Sequence, residues 1–310
     1  MGARVRHFVS LADLSPDELE RLLADAMTLK RLPIPADAPL GAKSLAMIFE
    51  KPSLRTRVSF EMAMVQLGGH AIYLSPAEVG LGRRESVADV ARVVSRYVDA
   101  VVLRTFAHET TEEFARSSSV PVINGLSDLS HPCQGLADIL TIREKKGQAP
   151  DVTVAYIGDG NNVCHSVMLA VALAGQTLRV ATPEGFEPQK RFRDTAANIA
   201  RRTGATIDLG DDPRRAVTGA DVVYTDVWTS MGQEQEYERR RRAFQGYRLD
   251  GALLALAARD AIVMHDLPAH RGEEITDDVI DGPQSAVFDQ AENRLHAQKA
   301  LLRWLLGDAR

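Results

Sequence analysis

Ser44-Leu-Ala-Met-Ile-Phe49 is apolar after its first residue, and it passes directly into Glu50-Lys-Pro-Ser-Leu-Arg-Thr-Arg57. A short run of this kind belongs to a strand covered on both faces, which is the habit of parallel sheets. The polar stretch behind it places a serine, a threonine and two arginines where a strand runs into a helix. Such a junction offers backbone N–H groups, hydroxyls and guanidinium groups to one small dianion, and phosphate is the expected occupant.

The same alternation continues outward from this segment. Upstream, Ser15 and Pro16 open a helix with Leu19, Leu22, Leu23 and Ala26 at helical spacing. Downstream, helices are predicted over 58–67, 86–97, 111–117 and 136–144, and strands over 71–74, 100–103 and 120–123. Lys145-Lys-Gly-Gln-Ala-Pro150 breaks the pattern, and a second series opens with Val152-Thr-Val-Ala-Tyr-Ile157. Strands over 177–181, 206–209, 222–224 and 261–264 follow, with a helix over 190–203 and an amphipathic terminal helix over 291–306. Strand and helix in alternation predict an α/β fold: two domains, each with a mostly parallel sheet flanked by helices, and a boundary near 145–150.

Composition agrees with two domains in 310 residues, 45% of them hydrophobic. A formal charge of -5 argues against nucleic acid as partner. Two cysteines cannot build a disulfide framework, and no apolar h-region or uninterrupted apolar stretch long enough to span a bilayer is present. A soluble cytoplasmic protein without membrane partners is expected. Arg239-Arg-Arg-Arg242 reads as a solvated helix face rather than a binding patch.

In open α/β sheets the ligand crevice lies beyond the carboxyl ends of the strands, and the polar motifs of this chain fall there. Arg57 and Glu61, four apart, fit either a helix ion pair or a ligand contact. Cys133 and Cys164 read as packing groups, and no Cys/His spacing supports a metal. Gly158-Asp-Gly160 lacks the third glycine of a dinucleotide fingerprint, and the next strand has no acidic residue for a ribose. No cofactor is expected.

Six segments occur in a telling order: Phe49-Glu-Lys-Pro-Ser-Leu-Arg-Thr-Arg57, His131-Pro-Cys-Gln134, Gly158-Asp-Gly-Asn-Asn162, Asp226-Val-Trp-Thr-Ser-Met-Gly232, Leu267-Pro-Ala-His-Arg-Gly272 and Glu292-Asn-Arg294. Through them the chain resembles the ornithine carbamoyltransferases, within the larger family that also holds the aspartate enzyme, over essentially its whole length. The resemblance implies transfer of a carbamoyl group from carbamoyl phosphate to the δ-amine of L-ornithine, giving citrulline and phosphate. It implies Ser53, Arg55 and Thr56, with Leu54 among them, as the phosphate cradle, and Arg104 as a bridge between phosphate and carbonyl oxygen. His131, Gln134 and the backbone at Leu267 are implied for the carbamoyl end, with Arg294 brought in from the terminal helix. Asn162, Asp226, Ser230 and Met231 are implied around the α-carboxylate and α-amino group. Residues 1–146 are then the carbamoyl-phosphate domain, 147–283 the ornithine domain, and 284–310 a helix packing back on the first. The family fold further implies a knotted second domain and a homotrimer, or a multiple of trimers.

Two departures from the family pattern stand out. Leu54 occupies a position that is commonly threonine. Asp266 occupies the position between His265 and Leu267 that usually carries cysteine, close to the reacting amine, and so joins Arg55, Thr56, Arg104 and His131 among the candidate catalytic residues. A carboxylate there would orient the amine but also favour its ammonium form, which has no lone pair for attack, unless neighbours tune the pair. The expectation is a lower rate at neutral pH with a more alkaline optimum, the alternatives being a different amine as acceptor or a carboxylate that points away from the amine, with ornithine still leading.

Overall fold

A computed structural model describes residues 5–32, 34–35, 37–147, 151–230 and 232–307. The chain divides into two compact units, residues 1–140 with 293–310, and residues 141–292. It leaves the first unit within the helix Pro132–Lys146 and re-enters it within the helix Val287–Leu306.

The first unit is built on β1 (Ser44–Phe49), β2 (His70–Leu74), β3 (Ala100–Arg104) and β4 (Val122–Leu126). All are parallel, in the order β2-β1-β3-β4. From Leu45 to Phe49 every side chain of β1 is buried, as its unbroken apolar run requires. Ala46, Ile48, Val101, Leu103, Phe114 and Val122 belong to one core cluster of this unit. The helix Pro16–Arg31 begins where Ser15 caps it through the Glu18 N–H, with the Glu18 carboxylate reaching back to the Ser15 N–H.

The second unit carries β5 (Thr153–Ile157), β6 (Thr177–Ala181), β7 (Thr206–Gly210), β8 (Val222–Thr225) and β9 (Ile262–Met264). These strands are also all parallel, in the order β7-β6-β5-β8-β9. Trp228, Phe244, Tyr247, Val263 and Ile275 belong to a core cluster here.

Among the described residues the strands coincide with the predicted ones to within a few residues at each end. Helix starts differ more. The second helix runs Leu54–Gln66 rather than from residue 58, because Ser53 caps it and its first turn holds the polar motif itself. The helix after His131 begins at Pro132 rather than 136, since proline fits the first helical position. The terminal helix begins at Val287 rather than 291. The helix Asn162–Leu173 is buried at every position from Val163 onward, so it shows no amphipathic period that a sequence reading could detect. No helix among the described residues is long and apolar enough to cross a membrane.

Candidate active site

Both sheets reverse strand order once, and ligands of open α/β sheets bind at such switch points. In the first unit the reversal lies between β1 and β3, and in the second between β5 and β8. Ser53–Thr56 follows β1 and Arg104 closes β3; Gly158–Asn162 follows β5 and Asp226 follows β8. Two polar half-sites therefore arise from topology.

In the first unit Ser53 is extended and its hydroxyl accepts the Thr56 N–H at 3.3 Å. Leu54 projects its side chain to solvent at 76% exposure, so only its backbone belongs to the junction. Arg55 is half-buried, while Thr56 is buried. Arg294, from the far end of the chain, donates to Thr56 Oγ1 at 3.2 Å and to Gln134 Oε1 at 2.8 Å. Gln134 in turn donates to Asp138 Oδ1 at 2.9 Å, which orients its amide. Register shifts between Leu103 and Arg104 along β3–β4, and an irregularity of this kind re-aims the terminal side chain of a strand.

His131 is buried, and its carbonyl starts the following helix by accepting the Gln134 and Gly135 N–H groups. Burial, and then the charges of Arg294, Arg104 and Arg55, hold its pKa well below that of an ordinary imidazole. His131 is thus a neutral N–H donor in a field of three arginines. Cys133 is buried, with its thiol pushed up to about 12 by burial, and packs its sulfur toward the Asn124 carbonyl. That chemistry is inert. Arg57 turns outward, 3.8 Å from Glu61 and over the ring of Tyr73, which leaves it outside the constellation.

In the second unit Asn161 caps the helix Asn162–Leu173, its Oδ1 accepting the Val163 and Cys164 N–H groups. Its Nδ2 donates to Asp226 Oδ2 at 2.7 Å, and the Val227 N–H donates to Asp226 Oδ1 at 2.7 Å. Asn162 sits beside this cap, half-buried. Gly160 admits no side chain, since a Cβ would come within 2.3 Å of the Pro188 nitrogen, which explains the glycine without any dinucleotide. Ser230 is half-buried, and its N–H donates to Gln233 Oε1 at 3.1 Å. Met231 lies outside the described residues.

Arg240 corrects the reading of the four-arginine run. Arg239, Arg241 and Arg242 are exposed, but Arg240 is buried and donates to Asp159 Oδ2 at 2.8 Å, to the Trp228 carbonyl at 3.0 Å and to Glu236 Oε2 at 3.0 Å. It ties the segment after Asp226 to the loop after β5. Burial pushes the Asp159 carboxyl up to about 6 against the pull of Arg240. The sequence signal for this role is faint: one arginine of four on the inward face of a short helix.

Beyond β9, His265 is fully buried. Its Nδ1 accepts the Leu267 N–H at 2.9 Å, and its Nε2 faces Glu274 Oε1 at 3.1 Å. Leu267 sits at φ 61 and precedes a cis peptide to Pro268. Asp226, His265 and Asp266 present ligand-type atoms within 4.8 Å of one another. Both ring nitrogens of His265 are already committed, so a metal would have to break this network to take it as a ligand. Burial, and then the neighbouring Asp266, raise the pKa of Asp226 well above the carboxylate range.

Residues 6–144 match the carbamoyl-P binding domain, and residues 150–305 the Asp/Orn binding domain, of aspartate/ornithine carbamoyltransferases. The chain belongs to the aspartate/ornithine carbamoyltransferase family. Within that family it is 55% identical to an ornithine carbamoyltransferase of Acidothermus cellulolyticus over 305 residues, covering 98% of both chains. It is 56% identical to one of Archaeoglobus fulgidus, again covering 98% of both. The solved structure of ornithine carbamoyltransferase from Pyrococcus furiosus superposes with a TM-score of 0.95 at 51% identity and 98% coverage of each chain. The two family domains correspond to the two half-sites, one on each sheet.

Proposed function

We propose that this protein transfers the carbamoyl group of carbamoyl phosphate to the δ-amine of L-ornithine, giving L-citrulline and phosphate. The observation that carries this reading is the near full-length identity to ornithine carbamoyltransferases, and the hydrogen bonds from Arg294 to Thr56 and Gln134 support it. Ser53, Arg55, Thr56 and Arg104 hold the phosphate, with the first-turn N–H groups of the helix Leu54–Gln66 adding donors. Thr56, Arg104 and His131 donate to the carbonyl oxygen, Gln134 holds the carbamoyl amide, and Arg294 fixes both Thr56 and Gln134.

Attack by a neutral amine on the carbamoyl carbon builds negative charge on the carbamoyl oxygen. Donors fixed before the reaction favour that state over the ground state. A neutral His131 suits this role, because it donates a hydrogen bond without competing as an acid. The departing phosphate takes the amine proton, so no dedicated base on the protein is needed. In the second half-site Asn162, Asp226, Ser230 and Met231 receive the amino-acid end of ornithine. Arg240 holds the segment that carries three of them.

The assembly follows the family as a homotrimer or a multiple of trimers, acting in the cytoplasm. An exposed apolar stripe supports self-association. Leu54, Val58, Met62 and Val65 recur along one side of the helix Leu54–Gln66 at 76%, 49%, 40% and 55% exposure.

Citrulline formation from carbamoyl phosphate and L-ornithine by the purified protein tests the reaction, with lysine, putrescine and N-acetylornithine as rival acceptors. Turnover of ornithine is expected. Asp266 favours a second reading, in which another amine is the acceptor. Turnover of a rival in preference to ornithine would establish that reading instead.

A further inference from the structure

The unusual residue of the second half-site, Asp266, does not stand alone. Tyr224 of β8 is paired with Met264 of β9, so Asp226 and Asp266 each lie two residues beyond a matched pair on neighbouring parallel strands. Such strands run about 4.8 Å apart and their side chains share a face in step. Asp226 is buried and Asp266 has a side chain 10% exposed, and carboxylate oxygens of the two lie within 4.8 Å of each other.

The groups around the pair are accounted for. Asn161 and the Val227 N–H donate to Asp226. His265 is held by Leu267 and Glu274, and Asp159 by Arg240. Among the described residues, further neighbours are the Tyr156 hydroxyl, which donates to the Asp159 carbonyl, and the buried Cys164 thiol. Two carboxyl groups this close and out of water do not both ionise readily, and the proton they keep belongs to the pair.

We propose that Asp226 and Asp266 act as one group sharing a single proton, and that this pair sets specificity for the acceptor by offering one negative charge rather than two. The inference rests on the carbamoyl-transfer reading. An amino-acid acceptor brings one obligatory ammonium at its α-carbon and a second amine that must be neutral to attack. A singly charged pair matches that single ammonium. When the pair loses its proton, its two charges match two ammonium groups instead and hold the attacking amine in its protonated form. Asp266 beside Asp226 therefore need not carry the penalty of an isolated carboxylate at that position.

Infrared spectroscopy of the ligand-free protein tests the shared proton. A protonated carboxylic acid band is expected to persist through pH 7 and to titrate away only in the alkaline range. In Asp266→Asn, the band should titrate away at a lower pH than in the wild type, since burial alone, without a second carboxyl group, then holds Asp226 protonated. Ornithine kinetics from pH 7 to 10 test the consequence. The ratio of wild-type to Asp266→Asn kcat/KM should fall about tenfold per pH unit above the ionisation of the pair. A missing wild-type band at pH 7, or a ratio flat with pH, overturns the proposal. Absence of citrulline from the wild type overturns the carbamoyl-transfer reading instead, and the band, read without substrate, tells the two failures apart.

Discussion

At the residue scale, the first half-site depends on groups whose charge state is fixed by burial. His131 has a folded pKa below the usual value near 6.5. The folded state therefore binds fewer protons than the unfolded one at acid pH. Stability rises with pH toward 6.5 and is lost as pH falls below it. His131→Asn should flatten that acid limb in chemical denaturation at pH 5 and pH 7. Because Asn keeps a donor, it should also retain more kcat than His131→Ala. Thr56→Val removes a hydroxyl while keeping shape, and a drop in kcat of about a hundredfold is expected, with a stability loss of about 1–3 kcal/mol because Arg294 loses a buried acceptor. Equal kcat for Thr56→Val and wild type would remove Thr56 from the oxyanion role. The types and order of these residues were legible in the sequence. Their partners were not, since Arg294 meets Thr56 and Gln134 across 238 and 160 positions of chain.

At the element scale, the strands were legible because each is a short apolar run bounded by turn residues, which is a local signal. The helix Leu54–Gln66 was placed four residues late because its opening turn is polar, and only the Ser53 cap marks its true start. The helix Tyr237–Ala243 hides its one inward arginine among outward ones, which local pattern cannot separate. The Asp159–Arg240 bridge gives that helix a testable weight. Arg240→Met leaves Asp159 buried beside a hydrocarbon, and removing one partner of a buried pair costs about 3–5 kcal/mol. Asp159→Asn combined with Arg240→Met should cost clearly less than Arg240→Met alone, as denaturant titration would reveal. A full loss in the double variant would mean that the contact from Arg240 to the Trp228 carbonyl, rather than the charge pair, sets the stability.

At the scale of the whole molecule, alternation of strand and helix disclosed two parallel sheets but not their strand order, because order depends on which strands meet after each crossover. The switch points, and with them the position of both half-sites, became visible only when β1 was found beside β3 and β5 beside β8. The stripe Leu54-Val58-Met62-Val65 was equally hidden, because an apolar helix face reads as core until the fold shows it exposed. Four large apolar side chains in line on a helix are costly to leave in water, and burying each contributes about 1.5–3 kcal/mol. If this face joins subunits, Val58→Glu places a charge at the contact and should shift light-scattering mass in solution from a trimer or its multiple to smaller species. The stripe begins next to Ser53, so kcat should fall together with mass, and both should recover when protein concentration is raised. A variant that keeps the wild-type mass at micromolar concentration would place the subunit contact elsewhere.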